Sequence, residues 1–190
     1  EPTPLSTQHS LSSLKKAVDS LKKKEIDVLV TGPINKVMIR KIEKKFIGHT
    51  EFLEKNFNRE AIMIMISSLM KVAFVTGHIP FSKVISSITP TKIIEKAIAF
   101  NKSLIIDFNI RKPKIAILGL NPHAGENGML GEEEEKIIIP AINELKEKNI
   151  LAFGPYPSDS FFSKRNLDAF DGILALYHDQ GLTPFKALSF

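Results

Sequence analysis

The chain has no cysteine and no tryptophan, and only 2 tyrosines beside 13 phenylalanines. Without thiols, disulfides, iron–sulfur clusters, zinc–thiolate centres and cysteine nucleophiles are all excluded, so a transition metal here has only histidine, aspartate or glutamate to hold it. No run approaches the ~20 apolar residues of a membrane span, and no charged-then-apolar leader opens the chain. The expected placement is therefore cytoplasmic, with no membrane partner. Charge of neither sign dominates: the net +5 comes from lysines such as Lys22, Lys44, Lys45, Lys146 and Lys148, scattered along helical segments and often beside Glu or Asp. That spacing marks solvated helix faces rather than a nucleic-acid stripe. What is present is an apolar share of 43% over 190 residues. This suffices for a self-sufficient core, since a domain of that size buries roughly 70% of its unfolded surface.

Short apolar runs alternate with amphipathic ones. The runs at 26–32 (IDVLVTG), 61–67, 71–76, 114–120, 150–153 and 172–177 read as strands, the first apolar on both faces as a strand buried under helices should be. Helical spacing predicts one helix over 10–24, after a Ser/Thr-rich lead, and another over 91–108, where Ile93, Ile94, Ala97, Ile98, Leu104 and Phe108 share a face. A third helix is predicted from about Gly131, its carboxylates Glu132 to Glu135 facing the positive end of the helix dipole. Pro140 either kinks that helix or opens a new one. The alternation implies an α/β fold with a mainly parallel sheet and flanking helices, and 61–67 with 71–76 could form a hairpin. The last residues, GLTPFKALSF, read as turn-like with no closing helix, and the first, EPTPL, open without a strand. Both ends are expected to continue in a longer protein.

Four of the five histidines follow apolar runs in turn-rich motifs: GHTE (48–51), TGHIP (76–80), NPHAGENG (121–128) and YHDQG (177–181). His9 falls in an ordinary Ser/Lys helix and reads as surface. In open α/β sheets, ligands collect outside the carboxyl ends of strands, so these motifs are candidates for one site. NPHAGENG carries the most information, because Gly125, Gly128 and Gly131 permit backbone conformations closed to other residues and so present His123 from a constrained loop. Asp179 beside His178 can fix a histidine tautomer or join a metal shell. In GHTE, Thr50 or His49 is expected to cap the following helix. In TGPINK (31–36), Pro33 is expected at a first helical position, with free N–H groups and Lys36 able to receive an anion. Together His78, His123 and His178 would offer three neutral nitrogens and an open position, suiting Zn, Co, Ni or Fe; Asp179 could also admit Mg or Mn.

These motifs in combination resemble the 4-hydroxythreonine-4-phosphate dehydrogenases of vitamin B6 biosynthesis, the PdxA family. TGPINK, GHTEF, TGHIP, LNPHAGENG with GEEE, GPYPSDSFF (154–162) and YHDQGLTPFK (177–186) run in the family's order and cover most of the chain. The resemblance implies an α/β fold with two domains around a cleft, related to isocitrate and isopropylmalate dehydrogenases. Residues 1–190 would be the central substrate- and metal-binding region, with part of the second domain missing. It also implies a divalent metal (Zn, Mg or Co) on His78, His123 and His178, the last reaching across a homodimer interface. His49 and Thr50 correspond to substrate contacts, Lys186 to a phosphate contact, and Asp159 and Asp179 to candidates for proton transfer or ligand orientation. Gly77, where the family commonly has Thr, and SDSFF for ADTLF are mild departures. The segment expected downstream would carry much of the nucleotide site, and no residue here is assigned to it.

The activity so implied is metal-assisted, NAD- or NADP-linked oxidation of 4-phosphohydroxy-L-threonine. It yields a β-keto acid that loses carbon dioxide to leave 3-amino-2-oxopropyl phosphate. Rival readings are a dehydrogenase of another phosphorylated four-carbon hydroxy acid, a histidine-site metallohydrolase that turns over without nicotinamide, and a non-catalytic binding module. Residues 1–190 alone are expected to have negligible dehydrogenase activity.

Overall fold

The computed structural model describes residues 3–190; the opening Glu1 and Pro2 of EPTPL lie outside them. The chain divides into two compact units, 1–61 and 62–190.

The first unit is helical. Helix α1 (Pro4–Lys22) is capped by Thr3, whose hydroxyl accepts from the Ser6 N–H at 3.1 Å, with Pro4 at the first position. It starts earlier than the apolar spacing indicates, because the cap and the proline, not the first apolar residue, set the boundary. His9 is exposed on it. α2 (Lys36–Ile42) and α3 (His49–Phe57) complete the unit. Its core joins Leu11, Leu14 and Val18 to Ile39 and Phe46.

Two expectations fail in this unit for one reason. The 26–32 run is not a strand, and Pro33 does not open a helix: residues 26–35 are irregular, with no ladder partner among the described residues. A strand exists only as part of a ladder. Here Leu29 reaches the unit's core while Val28 and Val30 stay 74% and 90% exposed. The helix waits for Asn35, whose side chain accepts from the Met38 N–H at 3.0 Å. Likewise neither His49 nor Thr50 caps α3. Gly48 is the N-cap, with no side-chain bond, and His49 and Thr50 are already helical.

The second unit is built on a five-stranded sheet in the order β1-β2-β5-β3-β4. β1 (Ile64–Ile66) and β2 (Lys71–Phe74) form the anticipated antiparallel hairpin. β3 (Lys114–Leu118), β4 (Leu151–Tyr156) and β5 (Gly172–Ala175) lie parallel to β2. The two-residue period of each strand sorts its side chains between two cores. Ala73, Ile115, Ile117 and Leu174 face one cluster, while Val72, Phe74, Ala116, Leu118, Ile173 and Ala175 face the other. The first cluster is covered by α5 (Pro90–Ile106, capped by Thr89) and α6 (Ile139–Glu147). A short helix α4 (Val84–Ser87) leads into α5. The second cluster takes in Phe161 of α7 (Ser158–Phe161) and Leu167 of α8 (Lys164–Ala169).

Two further corrections concern proline and carboxylates. GLTPFKALSF is not turn-like: α9 runs from His178 to Ser189 with Pro184 inside it. Proline removes one helical hydrogen bond, but burial of Phe185 against the sheet, at 1% exposure, outweighs that loss. Before α6, residues Glu134–Ile138 form a π-helical turn, and Pro140 is the second residue of the α-helix that follows. The acidic run there is not wholly solvated, because Glu134 turns inward and is buried.

Candidate metal and substrate site

Four adjacent parallel strands, β2-β5-β3-β4, end on the same edge of the sheet, so the residues just past them are neighbours by topology. In spatial order they deliver His78, His178, His123 and Asp159, each three to five residues beyond its strand. Pairing between β2 and β5 continues past the strands, with the Val75 N–H donating to Ala175 O and the Thr76 N–H to Leu176 O, at 2.9 and 3.1 Å. The Thr76 hydroxyl adds a buried bond to the same Leu176 carbonyl at 2.8 Å. The backbone is thus fixed up to Gly77, one residue short of His78.

His78 and His178 meet, their ring centres 4.9 Å apart. His178 also lies 6.1 Å from the Phe74 ring, and its Nδ1 is 3.5 Å from Asp179 Oδ1. That distance is too long for a well-formed hydrogen bond. His123 stands exposed in the next loop but one, with φ of 51°, inside a left-handed stretch from His123 to Gly128. Among the described residues, no three His, Asp or Glu side chains converge closely enough to hold a metal ion. Of the three candidate ligands the fold brings together His78 and His178, so an ion held by imidazoles would start from this pair.

Asp159 is exposed on α7, and Lys186 is exposed on α9, two turns beyond His178. His49 and Thr50 belong to the first unit, where His49 lines a cavity of about 210 Å³ with Thr31, Gly32 and Pro33. There Lys36 Nζ comes within 3.4 Å, and Glu51 Oε2 within 2.9 Å, of where a Gly48 side chain would begin. The cation expected to receive an anion therefore has a carboxylate at hand. A cavity of about 380 Å³ lined by Arg111, Lys112 and Lys146 opens at the amino-terminal end of β3 and β4, away from every histidine motif.

Sequence reasoning passed over two polar residues that hold this edge together. Gln180 is buried; its Oε1 accepts from the Leu176 N–H at 2.7 Å, and its Nε2 donates to Gly119 O at 2.5 Å and to Ser158 Oγ at 2.7 Å. One amide thereby ties the ends of β5, β3 and β4. Asn121, at the start of the His123 loop, donates to Glu133 Oε2 at 2.7 Å. That bond, chiefly, holds the Glu133 carboxyl below its ordinary 4.5. Only its place in YHDQG could have drawn attention to Gln180, and nothing in that motif announces partners 22 and 61 residues away.

The likeness to known proteins covers the whole chain. The family described as pyridoxal phosphate biosynthetic protein PdxA matches residues 1–190. The 4-hydroxythreonine-4-phosphate dehydrogenase of Bacteroides thetaiotaomicron is 46% identical over 191 residues, covering 100% of this chain and 52% of that protein. Its namesake from Sulfurihydrogenibium sp. is 43% identical over 182 residues, 95% of this chain and 56% of that one. The crystal structure of the Klebsiella pneumoniae enzyme of that name superposes with a TM-score of 0.91 at 28% identity, covering 100% of this chain and 58% of the other. A terephthalate 1,2-cis-dihydrodioldehydrogenase from Burkholderia xenovorans, at 22% identity and a TM-score of 0.79, shares the fold. The chain thus spans a little over half the length of the relatives it matches. Since the match extends through every strand-end histidine loop described above, the chain belongs to the PdxA family of pyridoxal phosphate biosynthetic proteins.

Proposed function

We propose that the protein containing this chain is a 4-hydroxythreonine-4-phosphate dehydrogenase. The observation that carries the reading is the arrival of His78, His178, His123 and Asp159 at one edge of four parallel strands, in a chain whose family match is complete. His78, His123 and His178 hold the divalent ion, with the site shared between the subunits of a homodimer. When bound, the ion supplies Lewis acidity toward the substrate hydroxyl and the ketone formed from it, and NAD or NADP supplies the oxidising equivalents.

The chain's own residues bind, orient and move protons. Lys186 meets the substrate phosphate as a point charge. It lies eight residues past His178, a rise of about 12 Å, and helix side chains tilt toward the amino terminus, so its long stem leans back toward the histidine end. His49 and Thr50 contact the substrate. Asp159 and Asp179, both exposed just past strand ends, take the proton that leaves the substrate hydroxyl on oxidation. Asp179 further sets the His178 ring orientation, leaving Nε2 free to ligate.

The test uses the full-length protein. About one divalent ion per subunit is expected, with loss of both the ion and NAD(P) reduction in His123→Ala. Full activity after rigorous metal removal would overturn the reading. Turnover of 4-phosphohydroxy-L-threonine that is far slower than that of another phosphorylated four-carbon hydroxy acid would reassign the substrate.

A further inference from the structure

Glu134 sits in a run of four glutamates where carboxylates ordinarily face water, yet it is only 2% exposed. Among the described residues no cation pairs with it. Its Oε1 accepts from the main-chain N–H groups of Leu120 at 2.7 Å and Asn121 at 2.8 Å, and its Oε2 accepts from Asn121 Nδ2 at 2.8 Å. Three N–H donors therefore replace the water that a buried carboxylate gives up. A charge buried in this way is weak evidence for a role in stability, because an apolar side chain of similar volume often serves as well.

What Glu134 does hold is a loop that the backbone disfavours. From His123 to Gly128 six consecutive residues have φ between 43° and 86°, a region that non-glycine residues seldom occupy and that clusters at functional sites. The loop folds directly over the carboxylate. A Cβ on Gly125 would lie 2.7 Å from Glu134 Oε2, and one on Gly119 would lie 3.2 Å from Oε1. The anchored residue Asn121 is two positions before His123. The carboxylate itself opens a π-helical turn, a geometry frequent at functional sites.

We propose that Glu134 is a positioning residue for His123, its buried carboxylate fixing the 120–128 loop in the left-handed form that presents the imidazole as a ligand. This rests on the metal site proposed above.

The test is cobalt binding to metal-free full-length protein, followed by calorimetry and by the visible absorption of the bound ion. In Glu134→Gln one oxygen still serves the two main-chain N–H groups, but an NH₂ now faces Asn121 Nδ2, donor against donor. A 10- to 100-fold weaker cobalt affinity is expected, on the order of the loss seen when ligand-orienting groups are removed. Faster amide exchange at Leu120 and Asn121 in the metal-free protein should accompany it. Asn121→Ala, which keeps both main-chain ties to Glu134 and removes the side-chain bonds to Glu134 and Glu133, should weaken cobalt binding in the same direction and decides the matter if Glu134→Gln does not fold. His123→Ala runs in parallel. If it binds cobalt as tightly as the parent, His123 is no ligand and the metal reading itself falls. If His123→Ala loses cobalt while Glu134→Gln and Asn121→Ala bind it like the parent, the metal reading stands and the role given to Glu134 is overturned. A lowered thermal midpoint in Glu134→Gln with unchanged cobalt affinity would likewise overturn it.

Discussion

Gln180 has neither charge nor metal affinity, yet its one amide bonds the ends of three strands. Its single amide satisfies a buried N–H at Leu176 and reaches a carbonyl and a hydroxyl on two other loops. In Gln180→Ala the Leu176 N–H loses its partner, and an unsatisfied buried donor costs roughly 1–3 kcal/mol while the other lost bonds add about 1 kcal/mol each. A stability loss of about 3–5 kcal/mol is therefore expected from urea unfolding curves. Gln180→Glu should fare no better, because a carboxylate oxygen would then face the Gly119 carbonyl. A change below about 1 kcal/mol in both variants would mean that the amide does not bridge the three strands. Residues of this kind are hard to see in a sequence for a physical reason. A histidine announces its chemistry by its type, whereas Gln180 and Glu134 matter only through partners that folding brings to them. The four glutamates from 132 to 135 look alike in the sequence, and the fold singles out one of them.

Among the elements, legibility followed the source of each one's stability. The strands β2, β3 and β5 are short apolar runs buried on both faces, and the helix over 90–106 carries its own cap and apolar stripe; in both cases the information is local. The 26–32 run has the same composition as those strands but no ladder partner among the described residues, so composition alone misassigned it. At α9 the error ran the other way. Glycine and proline suggested a turn, but both are tolerated by how the helix meets the sheet. Gly181 is where it comes closest: a Cβ there would lie 2.8 Å from Phe74 and Val72 side-chain atoms and 2.9 Å from Ala175. Gly181→Val should therefore push α9 off the sheet at a cost of about 1–3 kcal/mol, the usual penalty of overpacking. Because His178 opens the same helix, cobalt affinity in the full-length protein should fall with the thermal midpoint. Ala187→Val, exposed on α9, is the control and should change neither. A Gly181→Val protein with the parent's cobalt affinity would show that the seating of α9 does not govern His178.

At the scale of the whole molecule, the proposed shared metal site would divide three histidines between two subunits. The cis contact of His78 with His178, ring centres 4.9 Å apart, favours one division: a subunit contributes these two and its neighbour contributes His123. The family resemblance favours another, in which His178 is the residue that crosses. Mixing inactive variants distinguishes them, because a closed dimer with shared sites can rebuild one complete site from two defective chains. Random reassociation of His123→Ala with His178→Ala places half the chains in mixed dimers with one intact site of two. About one quarter of the parent's activity and metal content should return under either division, whereas a site wholly within one subunit would restore none. His78→Ala mixed with His178→Ala separates the two. If His78 and His178 serve the same site from one subunit, that mixture stays inactive; if His178 crosses alone, it recovers about one quarter as well. The geometry of this chain predicts the inactive mixture, and recovery there would show that the contact between the two imidazoles is not the one used to bind the ion.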